Sequence, residues 1–265
     1  MKKELKILGI AIVLLGSLMV SAPGYAETAT PAASPAAADP DAIDISQAKA
    51  KLRAKGCQVK VKGNCSKKNL TSVKSLAGLD LTRMNFSNSN LSKLDLSGAT
   101  LDGVNFTGAN LSGADLTGVS AIGANFTGAN LRGANLGEGE FMKSNFSKVK
   151  ASRAILADSD FTSASGQGAD FTYADVTNAI FEQTNFRAAD FGFTTGTDAK
   201  FADASLVGAK FRNSQMTSPD FSGTNLSNAN FMGSQIGIDL LDSANYCGAT
   251  MSDGFAADNT TCNNA

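Results

Sequence analysis

From Leu81 to Met251 a large apolar residue returns every five positions, and the register never slips. Of the 35 positions 81, 86, 91 and onward to 251, 31 are Leu, Phe, Met, Ile, Val or Tyr. The exceptions are Ala121, Ala151, Gly166 and Gly196. Fourteen of the 16 Phe residues lie on this column. Two positions earlier the residue is small, with Ala at 18 of 35, and one position earlier it is Asp or Asn at 20 of 35. A helix buries residues with a period of 3.6 and a strand with a period of 2, so neither element accounts for the pattern. A fixed period held over 171 residues defines a repeat architecture, in which each unit buries its apolar face against its neighbours.

Units such as Ala109-Asn110-Leu111-Ser112-Gly113 and Ala114-Asp115-Leu116-Thr117-Gly118 resemble the A-(D/N)-L-x-x pattern of the pentapeptide-repeat family. The resemblance implies an all-β chain folded as a right-handed quadrilateral parallel β-helix, the pentapeptide-repeat solenoid. Each five-residue unit would form one side, and four units one coil. The central residue and the small residue two before it would point inward, the other three outward. Residues 80–251 would make about nine coils, hydrogen-bonded along the axis so that the backbone is paired except at the two ends.

Stacking in this register can be read within the sequence. The residues preceding the centres on one side are Asn85, Asn105, Asn125, Asn145, Ser165, Asn185, Ser205, Asn225 and Asn245, and stacked Asn amides can bond to one another along a ladder. Core volume is balanced as close packing demands. Phe141 and Phe146 share a coil with Ala151, Phe161 and Phe171 with Gly166, and Phe181, Phe186 and Phe191 with Gly196. Pro219 and Asp239 at inward small positions, and Ile155 and Ile180 at outward ones, depart from the pattern and leave the local coil geometry near them open.

Outside the repeats the chain divides by composition. Residues 1–26 have the form of a bacterial-type signal peptide: Lys2, Lys3 and Lys6, a short apolar run from Ile7 to Val20, and Gly24-Tyr25-Ala26 at the expected cleavage point. Residues 27–43 form an Ala/Pro-rich linker with little to bury. Residues 44–79 form a basic cap with a short helix that ends near Gly56, and residues 45–79 carry nine Lys or Arg and no acid. The tail, 252–265, would close the other end. Such ends need covering, because open strand edges recruit other chains. Four cysteines fit an exported protein and allow three pairings. Locality favours Cys57–Cys65 and Cys247–Cys262, one at each end of the repeats. The expected location is periplasm, thylakoid lumen or the extracellular space.

The chain has no His, which excludes Ser–His, Cys–His and His–metal chemistry. No catalytic set, cofactor site or metal-ligand set is evident, so the expected role is non-catalytic: a structural or adaptor protein that offers flat faces to an unidentified protein partner. In the stacked register Arg153, Tyr173, Phe193 and Asn213 fall in one outward column, a candidate contact site of two aromatics beside an Arg. Lys150, Asp170, Asp190 and Lys210 form another outward column, read as a ladder of exposed ion pairs. Two further readings stand beside this one. Residues 80–265 hold 19 acids and 11 bases, net -8, and some members of the family mimic DNA to bind type II topoisomerases. The basic cap, through Lys49, Lys51, Arg53 and Lys55, could instead attach to an anionic lipid or cell-wall polymer.

Overall fold

The computed structural model describes residues 45–60, 62–236, 241 and 243–257, all within the second of two compact units, Asp41–Ala265. The expected signal segment and linker, Asp239, and Cys262 with the last part of the tail lie outside the described residues. Parallel bridges run from each pre-central residue to the one 20 positions on. Asn85 pairs with Asn105, Asn105 with Asn125, and Asn125 with Asn145; Asn90, Asp95 and Thr100 begin the other three columns. Four such columns make a four-sided coil stacked on itself.

The unit around Phe106 shows why the sequence adopts this geometry. The Phe106 N–H donates forward to Asn125 O at 2.7 Å, and Gly108 N–H forward to Thr127 O at 2.9 Å. The Asn105 N–H donates back to Met84 O at 2.9 Å, while Ala109 N–H closes a turn onto Phe106 O at 2.8 Å. The remaining donor, Thr107 N–H, is taken by the Asn105 side-chain Oδ1 at 3.0 Å. All five N–H groups are paired. Asn and Asp precede the apolar centre because their side chains complete an Asx turn that no backbone carbonyl can reach. The turn is type II, which places its third residue at positive φ; Gly98, Gly103 and Gly108 occupy it at φ 61°, 61° and 63°.

The solenoid begins earlier than the boundary drawn at residue 80. Asn64 bridges Asn85 and Asn69 bridges Asn90, each 21 apart, whereas Ser75 bridges Asp95 at the regular 20. One extra residue is absorbed between Leu70 and Leu76, both fully buried. This slip hid the first rungs from a strict count of five. Before them lies α1 (Ile45–Ala54), which buries Ala48 and Leu52. The Cys57–Cys65 disulfide ties the segment after α1 to the first rungs. Cys247 is also disulfide-bonded.

The coil differs locally on the side that carries Pro219 and on the equivalent side one coil earlier, which carries Ala199. Pro219 is buried at an inward position and has no N–H to close the turn onto Met216. Its side forms a three-residue strand, β2 (Gln215–Thr217), paired in parallel with β1 (Thr195–Thr197) one coil earlier. Ile155 lies 46% exposed, outward as its register requires.

The core is built from columns of stacked rings. Phe141, Phe161, Phe181 and Phe201 follow one another at 5.0 Å with interplanar angles of 15°, 8° and 5°. A second column holds Phe86, Phe106, Phe126 and Phe146, and a third Phe171, Phe191, Phe211 and Phe231. Rings of adjacent columns meet edge to face, as at Phe181 and Phe191, 5.6 Å apart and 80°.

Volume compensation works along the axis and not within one coil, as the sequence reading had it. A Cβ on Gly166 would fall inside the ring of Phe186, the next residue up its own column. Phe186 leans into the room left by Gly166, and so lies tilted, at 52° and 54°, to Phe171 and Phe191. Gly196 is only half-buried. A Cβ there would come within 2.9 Å of the Thr177 nitrogen and 3.1 Å of Val176 Cγ2, so the preceding coil, and not the three Phe of its own, excludes a side chain.

Gly166→Ala should therefore destabilise the solenoid by about 1–3 kcal/mol through overpacking. Phe186→Ala should cost about 3–5 kcal/mol through the cavity it leaves. Gly166→Ala combined with Phe186→Ala should be more stable than the sum of the single changes, because the methyl group then enters the space the ring has left. Denaturant melts of the four proteins check this, and strict additivity would show that the two positions do not share one space.

Candidate functional site

Lys, Arg, Asn and aromatic residues at the third turn position take the left-handed backbone conformation that glycine adopts freely. Arg153, Tyr173, Phe193 and Asn213 are four such residues in successive coils, at φ 62°, 61°, 58° and 54°. The stacked register therefore brings the predicted contact residues together. The rings of Tyr173 and Phe193 stack at 4.7 Å and 7°. The Arg153 guanidinium lies 5.8 Å from the Tyr173 ring centre, within cation–π range. Tyr173 is 54% and Phe193 44% exposed. A bulky side chain at positive φ is held against its own preference, and here two of them form a solvent-facing apolar stack.

Beside Phe193 lies a depression of about 200 Å³ above Gly192. Gly192 is itself buried, and its N–H is taken by Asp190 Oδ1 at 3.0 Å. Phe193, Asn213 and the Asp190–Lys210 ion pair, 3.3 Å, line the depression. So do Thr172 and Arg212. The expected ladder of ion pairs shrinks to this one pair among the described residues. Asp170 instead accepts from Thr172 N–H and Oγ1, at 3.0 and 2.7 Å, so its carboxylate is turned along its own strand by the Asx turn.

The amide ladder forms on a different side from the one expected. Asn110 Nδ2 donates to Asn90 Oδ1 at 3.2 Å, and Asn130 Nδ2 to Asn110 Oδ1 at 3.1 Å. On the Asn-rich column, the Oδ1 atoms of Asn105 and Asn125 accept instead from the Thr107 and Thr127 hydroxyls, each at 2.6 Å. A neighbouring Thr occupies the lone pair that an amide above would need. Asp95 shows the same turn chemistry in a charged residue. Burial opposes its ionisation, but hydrogen bonds from Ser97, Ser75 and the Ser97 N–H outweigh it and hold the carboxyl below its usual range.

The four basic candidates on the cap do not share a face. Lys49 and Arg53 lie on one side of the buried Ala48–Leu52 seam, and Lys51 and Lys55 on the other; Lys51, Arg53 and Lys55 are exposed and Lys49 half-buried. Lys49 and Lys60 border a second depression, of about 180 Å³, with Asp80 and Met84. Asp80 is held below its usual range first by the Thr82 hydroxyl and N–H, against the cost of burial, and then by the charge of Lys49.

The cap also meets a polarised backbone. Each unit sends two N–H groups forward and one back, as Phe106, Gly108 and Asn105 do. One peptide dipole per unit is left unbalanced, with carbonyls facing the N-terminal end. Gln58 N–H already covers one of these, Asn64 O, at 2.9 Å. Cations stabilise the carbonyl end of a helix for the same reason.

Sequence reasoning missed two things here. The strained turn position was signalled by Gly at 98, 103, 108, 113, 118, 123, 128 and 133. The inward Ser and Thr were signalled by their small size alone; the hydroxyls of Thr184, Thr194 and Ser214 bond the carbonyls of Phe181, Phe191 and Phe211 at 2.8, 2.8 and 2.7 Å. Among the described residues no group of three His, Cys, Asp or Glu side chains could hold a metal ion, and no helix is long and apolar enough to cross a membrane.

A four-sided stack of five-residue units, many of them closed by an Asx turn, around a continuous apolar shaft, defines a quadrilateral β-solenoid. The chain belongs to the pentapeptide repeat family: eight copies of the family model, pentapeptide repeats, match it across residues 75–108, 101–137, 109–147, 144–183, 167–195 and 197–233. Proteins of this family are generally structural or protein-binding and non-catalytic. Solved structures similar to the chain include HetL from the cyanobacterium Nostoc sp. strain PCC 7120, a pentapeptide repeat protein involved in heterocyst differentiation regulation. It is 26% identical over 73% of this chain and 91% of that one, with a TM-score of 0.24. A pentapeptide repeat protein from the Arabidopsis thaliana thylakoid lumen is 32% identical over 38% of this chain and 68% of its own, with a TM-score of 0.24. QnrB1, a plasmid-mediated fluoroquinolone resistance protein, is 22% identical over 67% and 88%, with a TM-score of 0.35. Comparison with curated proteins gives no match.

Two outcomes follow from this geometry. Replacing Tyr173 and Phe193 together by Gly relieves two left-handed residues while removing one exposed ring stack, so stability should stay within about 1 kcal/mol of wild type; a loss of several kcal/mol in urea melts would make the pair structural. Reversing Lys51, Arg53 and Lys55 to Glu should lower the melting temperature, and half-molar salt should shrink the loss. Reversing Lys143 and Lys148, far from the end, should do so much less. Equal effects of the two sets would remove the role of the end charge.

Proposed function

We propose that this chain is an exported, non-catalytic binding scaffold whose contact site is the Arg153–Tyr173–Phe193 column. The observation that carries the reading is the exposed ring stack, held at turn positions where the backbone favours Gly. Evident packing does not require two half-exposed aromatics there, and exposed apolar clusters of this kind mark contact sites. Export rests on the character of residues 1–26 and on the cysteines, and the second disulfide, Cys247–Cys262, belongs to the same reading. A solenoid supplies the rigid support that a binding surface needs, since each coil is fixed by its neighbours.

Attachment to an anionic surface draws less support. The basic residues of α1 lie on both sides of its buried seam, so they do not present one flat charged face, and the backbone polarity gives them a role within the fold. DNA mimicry draws on the net -8 of residues 80–265, but the contact site itself is basic. Affinity capture of the tagged protein from its native compartment, with the Tyr173→Gly/Phe193→Gly protein alongside, tests the proposal. A discrete partner recovered by the wild type and lost, at least tenfold, with the folded double variant is the expected result. Partners recovered equally by both would overturn the site.

A further inference from the structure

The depression beside Phe193 carries the reading further, to the chemistry of the partner. We infer that it receives an acidic peptide segment of a partner protein, with an aromatic side chain seated over Gly192 against Phe193. This inference rests on the binding-scaffold reading above and deepens it.

The notch has the size for one ring: an apolar cavity of about 150 Å³ already takes up benzene, and this one is about 200 Å³. The neighbours of Gly192 in the same column of successive coils, Thr172 and Arg212, also line the notch. A Cβ at 192 would come within 3.0 Å of Asp190 Oδ1 and 3.4 Å of the Arg212 carbonyl oxygen, so Gly keeps this floor of the notch open. One face of Tyr173 is covered by Arg153 and the other by Phe193. Phe193 is the one of the two rings that lines the notch, with Asn213 of the next coil beside it. A further ring can meet it offset or edge to face, as rings in the core meet one another.

Charge selects the rest of the segment. Lys150, Arg153, Lys210 and Arg212 surround the stack against Asp170 and Asp190, an excess of two positive charges. This basic island stands on a solenoid whose residues 80–265 are net -8. Lys210 is engaged by Asp190, which leaves Lys150, Arg153 and Arg212 outside the described ion pairs; the two guanidinium groups among them are Arg153 and Arg212. They lie three coils apart, roughly 14 Å at the spacing of hydrogen-bonded strands. An extended chain covers that distance in about four residues. The fitting segment has two carboxylates about four residues apart, one for each Arg, and an aromatic between them nearer the Arg212 end. Charge-assisted contacts of Arg with carboxylate are among the stronger polar contacts available at a surface.

The protein contains no Trp, so indole fluorescence reports on the probe alone. The full chain is titrated with the blocked pentapeptide Asp-Gly-Gly-Trp-Asp and with the same peptide carrying Lys for both Asp. Binding of the acidic peptide should shift its emission to the blue and weaken with salt. It should weaken about tenfold or more in Phe193→Gly, and likewise in Arg212→Gln, with both variants shown to be folded by their melting curves. A peptide with Leu in place of Trp should compete at least tenfold less well. No shift at millimolar protein, an equal response to the Lys peptide, equal competition by the Leu peptide, or binding unchanged in Phe193→Gly would each overturn the inference. If the titration fails while native-compartment capture still depends on Tyr173 and Phe193, the contact site stands and only this partner chemistry falls.

Discussion

The return of the chain to the same side after 20 residues is the constraint on which the rest of the molecule depends. It is enforced by backbone hydrogen bonds between coils, two forward and one back per unit, and by one side-chain acceptor that completes the set. The Asn and Asp that precede 20 of the 35 centres are thus part of the backbone's own hydrogen bonding. Because every unit is paired in the same way, side chains at equivalent positions in successive coils stand one above another. Rings stack on rings, small residues on small residues, and any exception must be met by its column neighbour. Gly166 and Phe186 show this: the ring that fills the gap comes from the next coil.

The same geometry fixes the character of the surface. The third residue of every turn is left-handed, so one outward column at each corner carries a conformational cost for anything other than Gly. In the stretch from 98 to 133 all of these positions are Gly, and the corners are bare. Where Arg153, Tyr173 and Phe193 replace Gly, the chain accepts strain in three consecutive coils to present a cation and two stacked rings. A glycine in the adjoining column, Gly192, opens the notch beside them. Non-Gly residues hold this left-handed position at many other corners, Lys143, Lys148 and Asp158 among them; what is particular to the candidate site is that two of them are rings stacked on each other, on a solenoid whose coils are fixed by their neighbours.

Polarity along the axis gives the basic segment a physical role that does not call on a partner. Carbonyls left facing the first coil are met by the Gln58 N–H and by a segment with nine bases and no acid. The disulfide between Cys57 and Cys65 holds that segment to the first rungs.

The sequence alone determined the five-residue unit, because its period repeats without interruption from Leu81 to Met251. Its resemblance to the pentapeptide-repeat pattern implied the inward pair of positions, the stacking of residues 20 apart and hence the meeting of Tyr173 with Phe193. The start of the solenoid at Asn64, the axial sharing of space by Gly166 and Phe186, the side on which the amide ladder forms and the notch over Gly192 were decided only by the folded coil. Each depends on how a neighbour 20 or 21 residues away leans, or on which acceptor a nearby hydroxyl has already taken. Such choices between near-equal contacts are made by three-dimensional packing and leave no period in the sequence.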